Sequence, residues 1–464
     1  MAITAAERRL LAAAGVVLAA GLAALGSCAP GAPPEQPAPE PPAAERPAPP
    51  PAERPLPDRP APDQPPEPEA GPDLLPRDSA ESAEPEVRIG LAVNEPSATV
   101  GGDAQVVVAE PSGARLAVIP AGERWRVVPS GAGLALQPPA RVGLHVTEVV
   151  ALLSTSPAGQ VWLNGRFYRG SVQIARDGAG LTLVNRLLLE SYLLGVVSAE
   201  MGRRGPSEFE ALKAQAVASR TYALRNLGRR SALGFDLHAG VADQVYAGSA
   251  AETAEGLEAV RATRGLVLTY GGEPIDAFYY STCGGQTADG VEAFRAASRP
   301  YLRSFADVDE NGQAYCRISP RYHWREEWSG DALRRTLQRT LPLTAGVPAT
   351  RAGEVRDVWV AQRSTSGRVS RLGIALRADH VVVEGQAVRQ VLRPPSGDRL
   401  RSAAFTLTAT RAGREIARLV AEGSGAGHGV GLCQWGAVGR SRAGQDFRRI
   451  LAAYFPGATP ERLY

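Results

Sequence analysis

Apolar and polar residues alternate in short runs between residues 86 and 184, which is typical of β-strands. The runs read VRIGLAV, AQVVVA, RLAVI, RWRVV, GLALQ, VWLNG, SVQIA and LTLV, and turn residues separate them. An Asn-Gly pair at 164–165 and an Asp-Gly pair at 177–178 favour two-residue hairpin turns. We therefore predict a β-rich segment over residues 86–184.

The pattern changes to a helical period between Leu187 and Asn226. Apolar residues at positions 189, 193 and 196 form one stripe, and Glu200 stands at its end. Ser207 and Glu210 have the spacing of a capping box, which predicts the start of a second helix. We predict a helical pair joined by a short Gly-rich elbow, with a carboxylate at that elbow.

Strand-like and helix-like patterns alternate again after residue 234. Helices are predicted for Thr253–Arg264, Asp331–Gln338 and the last segment FRRILAAYF, and strands for GLVLTY, IDAFYYS, VRDVWVAQ, VSRLGIAL, HVVVEG and AAFTLTA. These patterns predict an α+β fold in which β-rich subdomains pack around the central helical pair. We divide the folded chain into residues 86–184, residues 185–330 with the helical pair, and residues 331–464 with a GHGVG loop.

The N-terminal segment has a different composition. Arg8 and Arg9 precede an apolar run that is short for a membrane span and typical of a signal peptide. The run ends in LGSC, which looks like a bacterial lipobox with Cys28 as the lipidated residue, so we predict a lipoprotein signal peptide over residues 1–28. The alternative is a simple signal peptide or anchor with an incidental cysteine. Residues 29–85 are rich in proline, alanine and glutamate, which predicts a disordered and extended linker.

Charge and cysteine content narrow the classes of function. The net charge is +3, which is close to balance, so the composition gives no sign of nucleic-acid binding. The chain has four cysteines in 464 residues, too few for a disulfide-built scaffold, so the fold must depend on a buried apolar core.

Five motifs stand out in the folded part: LLLESYLLGVVSAEM, EALKAQAVASRTYAL, FYYSTCGGQTAD, LRSAAF and GHGVGLCQWGA. In this order they resemble the stage II sporulation protein D (SpoIID/LytB) family, over residues 86–459. The resemblance implies a bacterial extracytoplasmic protein that acts on peptidoglycan. Sporulation members are lytic transglycosylases, which cleave the MurNAc–GlcNAc bond of glycan strands stripped of stem peptides and leave a 1,6-anhydro end. Other members, called amidase enhancers, bind or modulate wall enzymes.

Glu200 is the predicted catalytic residue. Glycosidases usually need two carboxylates, but lytic transglycosylation can use one, because the 6-hydroxyl of the sugar is the nucleophile. Such a glutamate must be protonated near neutral pH, and burial against apolar neighbours raises the pKa of a carboxyl. The position of Glu200 at the end of an apolar stripe fits this requirement; the alternative is a helix-end glutamate that faces solvent.

Further residues of the motifs are candidates for substrate binding. Arg220 lies on the same helix face as Lys213, and either side chain could contact the sugar or form an ion pair. The remaining candidates are polar residues on glycine-containing loops, where backbone and side chains can approach a ligand closely. They are Tyr280, Ser281, Gln286, His428 and Gln434, with Trp435 as a possible stacking surface.

The resemblance also raises metal and thiol chemistry. Some family members hold zinc in a stretch like FDL…HCQVY, but here Ala242 and Asp243 replace the His-Cys pair and leave His238, so we expect no metal and no other cofactor. Cys283 and Cys316 are expected to form a disulfide worth about 3–4 kcal/mol in an oxidising compartment. The alternative is two buried free thiols. Cys433 is expected to be a lone buried thiol.

Three hypotheses of function follow. The first is a lytic transglycosylase that uses Glu200, and the second is a non-catalytic peptidoglycan-binding modulator of a wall amidase. The third is a wall hydrolase with Cys433 and His428 as a nucleophile pair. In each case the expected partners are glycan strands and, through the lipid anchor, a membrane; an outer membrane facing the periplasm is favoured because alanine follows Cys28.

Overall fold

The computed structural model of the protein describes residues 84–464 except 140, 141, 147 and 295–297. The predicted signal peptide with Cys28, and nearly all of the predicted linker, lie outside the described residues. No helix among the described residues is both long and apolar enough to span a membrane.

Strands and helices are mixed along the chain, which confirms the predicted α+β class. The strands are β1 Glu86–Glu95, β2 Ala98–Gly102, β3 Val106–Ala109, β4 Arg115–Ile119, β5 Arg124–Ser130, β6 Gly133–Gln137, β7 Leu144–Val146, β8 Val149–Ser154, β9 Val161–Leu163, β10 Arg166–Tyr168, β11 Ser171–Asp177, β12 Gly180–Leu188, β13 Leu237–His238, β14 Leu266–Tyr270, β15 Glu273–Pro274, β16 Tyr279–Tyr280, β17 His323–Ser329, β18 Asp357–Arg363, β19 Val369–Ala375, β20 His380–Glu384, β21 Phe405–Ala412, β22 Glu415–Ser424, β23 Leu432–Cys433 and β24 Thr459–Arg462. The α-helices are α1 Leu189–Met201, α2 Phe209–Arg225, α3 Ala254–Ala262, α4 Gly290–Ala293, α5 Gly330–Ala345, α6 Ala349–Ala352, α7 Ala387–Val391, α8 Gln434–Arg442 and α9 Phe447–Tyr454.

Strands β1–β12, which precede the helical pair, form two sheets, and β13 from the segment after the pair joins one of them. One has seven strands in the order β13-β1-β12-β11-β8-β3-β4, and the other has six in the order β10-β9-β2-β5-β6-β7. Each run of alternating residues predicted above forms a strand here, because the apolar side of each strand faces a common core. The turn at 164–165 is confirmed: Asn164 and Gly165 have φ of 46° and 92°, as a two-residue hairpin requires.

Helices α1 and α2 form the predicted pair, and both are buried on several sides. The apolar stripe of α1 is confirmed, since Leu189, Leu193 and Val196 are all buried. Small residues of α2 let the two helices approach closely. The predicted capping box is wrong, because a 3-10 turn, Pro206–Glu208, precedes α2 and no side chain caps it. The Glu210 carboxylate instead accepts from Lys213 Nζ at 2.7 Å and from the backbone N–H of Phe447 at 2.9 Å.

The described residues form two hydrophobic cores. The second core lies within residues 324–421 and contains β17–β22 and α5–α7. The first core combines residues 87–316 with residues 430–458, so the chain returns to it after completing the second core. Short β16 pairs in parallel with β23, and this pairing brings the GHGVG loop back to the helical pair. This pairing also brings Gln434, the residue after β23, to Glu200.

Candidate active site

Glu200 lies in the last turn of α1, where the apolar stripe brings its carboxyl to the edge of the first core. The helix ends directly after it, at Gly202, whose φ is 67°. A residue with a side chain rarely adopts this conformation, so glycine ends the helix at this point. The Gly202 N–H donates to the Ser198 carbonyl at 2.9 Å. The Glu200 side chain is half-buried as a result.

Three donors from separate parts of the chain hold the Glu200 carboxylate. Oε1 accepts from the backbone N–H of Val245 at 2.8 Å and from the Tyr279 hydroxyl at 3.3 Å. Oε2 accepts from Nε2 of Gln434 at 3.2 Å. Val245 follows β13, Tyr279 is in β16, and Gln434 begins α8. The site therefore forms only when these segments meet at the end of α1.

Burial is the main electrostatic influence on Glu200. It raises the pKa of the carboxyl above its ordinary value of 4.5, while the hydrogen bonds from Val245, Gln434 and Tyr279 act in the opposite direction. No ion pair with a basic side chain is found for Glu200 among the residues that the structure describes. The carboxyl is thus held by neutral donors, and the net effect is a pKa above the ordinary value.

A second layer of hydrogen bonds fixes Tyr279. Gln244 donates from Nε2 to the Tyr279 hydroxyl at 3.1 Å and to the Ser219 carbonyl at 3.3 Å. Its Oε1 accepts from the hydroxyl of Tyr192, at 3.2 Å. Gln244 is completely buried, so these bonds leave its amide little freedom to turn. The Tyr279 hydroxyl is therefore oriented toward Glu200 by residues of α1, α2 and the loop after β13.

His428 supports the loop and the strand that carry this site. Its Nδ1 accepts from the Val430 N–H at 3.2 Å, which leaves the ring proton on Nε2 to donate to the Tyr279 carbonyl at 3.0 Å. The rings of Phe278, Tyr280 and Phe294 surround the imidazole. Burial lowers the pKa of His428 to about 3, so the ring is neutral. His428 thus reaches Glu200 through Tyr279; its predicted contact with substrate stays a prediction.

The predicted substrate contact of Arg220 is wrong. Its side chain is completely buried and donates to Glu190 from Nε and Nη2, each at 2.8 Å. Nη1 donates to the Leu266 carbonyl at 3.1 Å. The sequence alone could not distinguish a buried ion pair from a ligand contact, because both need an arginine on the inner face of α2. Lys213, the other candidate of this face, pairs with Glu210.

The other predicted binding residues lie at different distances from the carboxylate. Gln434 contacts Glu200 directly, whereas Tyr280 is buried in the core and its hydroxyl has no hydrogen-bond partner in the described part of the chain. Ser281 is half-buried beside Thr282, and its carbonyl accepts from Trp435 N–H at 3.0 Å. Gln286 donates to Ser304 at 2.8 Å. The substrate contacts of Ser281, Gln286 and Gln434 stay predictions, whereas the Tyr280 hydroxyl is enclosed in the core in this structure.

Two contributors to the site were missed from the sequence, Tyr279 and the Gln244-Val245 pair. Adjacent residues of a strand face opposite sides, so only one of the two tyrosines of β16 can face Glu200. Tyr280 is the prediction from the sequence, whereas the structure places Tyr279 there. The sequence pattern of ADQVY points only to metal ligands. In the structure this stretch supplies the Val245 N–H to Glu200 and the Gln244 amide to Tyr279. The resemblance to HCQVY was the available signal.

The remnants of the family's metal cluster do not fit a metal. Asp243 is buried and forms ion pairs with Arg230 at 2.9 Å and Arg229 at 3.8 Å, and it accepts from the Tyr222 hydroxyl at 3.0 Å. Its other hydrogen bond comes from the backbone N–H of His238 at 2.8 Å. The carboxylate is therefore committed to arginines, and His238 is in no group of three or more possible metal ligands among the described residues.

The predicted disulfide between Cys283 and Cys316 is not formed. The two sulfur atoms are 3.3 Å apart, and both thiols are free and buried. Cys433, expected to be isolated, lies against them: its sulfur accepts from the Cys283 N–H at 3.1 Å. Cys433 and His428 do not form a nucleophile pair in this structure, because both ring nitrogens of His428 are hydrogen-bonded to backbone groups.

One groove among the described residues is lined neither by Glu200 nor by its donors Val245, Tyr279 and Gln434. It has a volume of about 730 Å³ and is lined by residues of β17, β21 and β22, among them Trp324 and Phe405. None of its lining residues contacts the Glu200 carboxylate. The Glu200 site lies where α1, β16, α8 and the loop after β13 meet.

Comparison with known proteins points to one family. The family model Stage II sporulation protein matches residues 177–270, which contain α1 and α2, and the model Domain of unknown function (DUF8618) matches residues 311–431. An uncharacterized protein of Brachyspira hyodysenteriae is 31% identical over 322 residues, 68% of this chain and 79% of that protein. Stage II sporulation protein D of Bacillus subtilis is 27% identical over 70% of this chain and 88% of its own length. The amidase enhancer of Bacillus subtilis is 27% identical over 66% of this chain and 45% of its own length.

Proposed function

The chain belongs to the SpoIID family of stage II sporulation proteins, and from this membership we propose that it is a peptidoglycan lytic transglycosylase with Glu200 as its acid and base. The proposed substrate is the MurNAc–GlcNAc bond of glycan strands. The observation that supports it most directly is the carboxyl of Glu200, half-buried at the surface end of α1 and held by neutral donors only.

The two oxygens of Glu200 are unequally occupied. A carboxylate oxygen has about two lone-pair sites, and both sites of Oε1 are used by Val245 and Tyr279. Within the described part of the chain Oε2 accepts from Gln434 alone, which leaves its second lone pair for a substrate. We therefore assign the reactive proton to Oε2. The donors on Oε1 would hold the carboxyl in one orientation through both halves of the reaction.

The proposed reaction needs no second carboxylate. Glu200 gives its proton to the glycosidic oxygen of the leaving GlcNAc as the bond from that oxygen to C1 of MurNAc breaks. The 6-hydroxyl of the same MurNAc attacks C1 and passes its proton to the Glu200 carboxylate. One C–O bond breaks and one forms, the products are a 1,6-anhydro end and a free 4-hydroxyl, and Glu200 is again protonated. Burial favours the protonated form in which the cycle starts.

Replacement of the carboxyl tests this proposal. Purified protein and its Glu200→Gln variant are incubated with intact sacculi and with glycan strands stripped of peptides, and the products are analysed by mass spectrometry. We expect 1,6-anhydro products from the wild type and a loss of about 10³-fold or more in the variant, because the proposed mechanism gives both proton transfers to this carboxyl. Equal product release by both proteins would contradict the role of Glu200.

A second function is favoured by the relative named amidase enhancer. In this case the protein binds glycan strands and stimulates a wall amidase without cleaving glycan. Sedimentation with sacculi and an amidase assay with added protein distinguish the two functions. Binding and stimulation that persist in Glu200→Gln, with no anhydro products from either protein, would favour the modulator. Loss of activity in Cys433→Ser with full activity in Glu200→Gln would instead favour the thiol hydrolase.

We also propose that the chain is anchored to the cell envelope through a lipid on Cys28, which lies outside the described residues. The support is the LGSC sequence after the apolar run. Metabolic labelling with a fatty acid, followed by cell fractionation, tests the anchor. We expect label and membrane association in the wild type and neither in Cys28→Ala.

A further inference from the structure

Three buried cysteines meet at one point in the first core. Cys283 follows β16, Cys316 lies in the 3-10 turn Tyr315–Ile318, and Cys433 ends β23 and precedes α8. Their sulfur atoms all lie within 4.8 Å of one another, and all three residues are at most 1% exposed. Three of the chain's four cysteines thus converge from segments up to 150 residues apart.

The spacing of the sulfurs fits a shared metal ion better than a disulfide. A disulfide needs its sulfurs about 2.05 Å apart and would leave the third thiol buried without a function. A tetrahedral metal with metal–sulfur distances of about 2.3 Å places its sulfurs about 3.8 Å apart. The Cys283 and Cys316 sulfurs are 3.3 Å apart, and no sulfur pair of the cluster is more than 4.8 Å apart, so small movements bring all three to that spacing.

Backbone donors surround the sulfurs as they would surround thiolates. The N–H groups of Cys283 and Gly436 donate to the sulfur of Cys433 at 3.1 and 3.2 Å. The N–H of Gly285 donates to the sulfur of Cys283 at 3.3 Å. Cys433 also caps α8, where the partial positive charge of the helix favours an anion. Such outer hydrogen bonds orient and stabilise metal ligands.

Asp307 lies beside the cluster and contacts one of its sulfurs. It is completely buried, and its Oδ2 lies 3.4 Å from the sulfur of Cys283. Arg440 holds the other oxygen, Oδ1, at 2.8 and 3.0 Å, and the Tyr454 hydroxyl donates to Oδ2 at 2.7 Å. The ligands that the described residues place within reach of one ion are therefore the three sulfurs, and Asp307 is an outer partner of Cys283.

We propose that Cys283, Cys316 and Cys433 bind a thiophilic divalent cation of the Zn²⁺ class through their three sulfurs. This site differs from the position of the family's metal cluster, where Asp243 is paired with arginines. The ion would tie β16 and the start of α8 to the irregular segment that contains Asp307 and Cys316. It would thereby fix Gln434, the residue after Cys433, against Glu200.

Metal content and thiol protection test this inference without an assay of activity. The full chain is purified without chelator, and its zinc is measured by elemental mass spectrometry beside that of two variants. Cys433→Ser removes a proposed ligand, and His238→Ala removes a residue of the family's metal position. We expect about one zinc per chain in the wild type and in His238→Ala. In Cys433→Ser we expect the affinity for zinc to fall by more than the roughly 10–100-fold that is typical when a hydrogen-bond partner of a metal ligand is removed.

If Cys433→Ser does not fold, titration of the wild type with cobalt tests whether the three cysteines bind a metal ion. Co²⁺ bound by thiolates gives intense sulfur-to-metal absorption, and we expect it to appear at about one equivalent and to disappear on addition of Zn²⁺. In parallel, a thiol reagent should label the three cysteines only after a chelator is added. A Cys283–Cys316 disulfide in the peptide map, absence of thiolate–cobalt absorption, or zinc lost in His238→Ala and kept in Cys433→Ser would each overturn the proposal. These outcomes are independent of whether the protein cleaves glycan.

Discussion

Burial and hydrogen bonding act in opposite directions on Glu200, and burial has the larger effect. The three donors are neutral, so they orient the carboxyl without forcing it to be ionised. An arginine in the same place would hold the group as a carboxylate and prevent it from donating a proton. The choice of a backbone amide, a phenol and a side-chain amide therefore suits a residue that must both give and take a proton.

Glu200→Gln should stabilise the fold at neutral pH. Because the pKa of Glu200 is raised in the folded state, its favourable contribution is present below pH 4.5 and is lost as the pH rises through the folded pKa. The neutral glutamine avoids this loss, and we expect a gain of about 0.5–2 kcal/mol at pH 7. Urea unfolding at pH 4 and pH 7 checks this prediction. The gain should shrink at pH 4; a variant less stable than the wild type at pH 7 would contradict it.

Tyr279→Phe should slow the reaction and move its pH dependence. The variant loses a donor that stabilises the Glu200 carboxylate, so the pKa of Glu200 rises further and the alkaline limb of the rate profile moves to higher pH. Loss of one hydrogen bond of about 0.5–1.5 kcal/mol should lower kcat about two- to tenfold.

Tyr280→Phe is the matched control for that prediction. The Tyr280 hydroxyl is buried and has no partner within the described ranges, so its removal should change neither the rate nor the pH profile. A shifted profile in Tyr280→Phe and an unchanged one in Tyr279→Phe would reverse the assignment. The pair also shows what the sequence could not decide, since only the direction of each side chain separates two adjacent tyrosines.

At the scale of elements, the site depends on how closely α1 packs against the loop that carries Val245. Gly195 of α1 faces the ring of Tyr246, and a Cβ at this position would lie 2.6 Å from that ring and 3.0 Å from the Gly248 carbonyl. Tyr246 in turn donates to the buried Asn185 of β12 at 2.8 Å. The helix, the loop and the sheet are thus held together by one close contact beside the donor of Glu200.

Gly195→Ala should therefore affect both stability and catalysis. The added methyl must displace Tyr246, at a cost of about 1–3 kcal/mol, and the shift should weaken the bond from Val245 to Glu200. Thermal unfolding and kcat measure the two effects. Gly240→Ala is the control, because no atom lies within 4 Å of a Cβ there. If both variants behave alike, the close contact is not what positions Val245.

The elements themselves were largely predictable, since their patterns are local. Strands of the first half and helices α1 and α2 follow from alternation and from a 3.6-residue period. Helix α8 was missed because glycines interrupt it and only Cys433 caps it. Strand β22 was missed as well, because charged residues break up its alternation. The meeting of α1, β16 and α8 could not be predicted, because it depends on pairing between residues more than one hundred positions apart.

At the scale of the whole molecule, distant segments also meet at Glu190. This residue lies in the first turn of α1, at the opposite end of the helix from Glu200. Its carboxylate accepts from Arg220 of α2, from the Gly265 N–H at 3.2 Å and from the Tyr464 hydroxyl at 2.6 Å. Strand β24 brings Tyr464 there by pairing with β14. A buried ion pair thus joins α1 to α2, and a hydrogen bond from the Tyr464 hydroxyl joins the end of β24 to the same carboxylate. Disruption of the ion pair should weaken the fold without altering the chemistry.

Arg220→Met should cost about 3–5 kcal/mol at pH 7, because it leaves the Glu190 carboxylate buried without its cation. Burial raises the pKa of Glu190, but the bonds from Arg220, Tyr464 and Gly265 lower it overall, so the stability gained from the pair is present above pH 4.5 and is lost as the pH falls. Urea unfolding should accordingly show a smaller difference between variant and wild type at pH 4 than at pH 7. Arg186→Met, at an exposed ion pair, should change stability by less than about 0.5 kcal/mol. The folded fraction of Arg220→Met should keep the wild-type KM for glycan strands, whereas a raised KM with unchanged stability would restore Arg220 as a substrate contact.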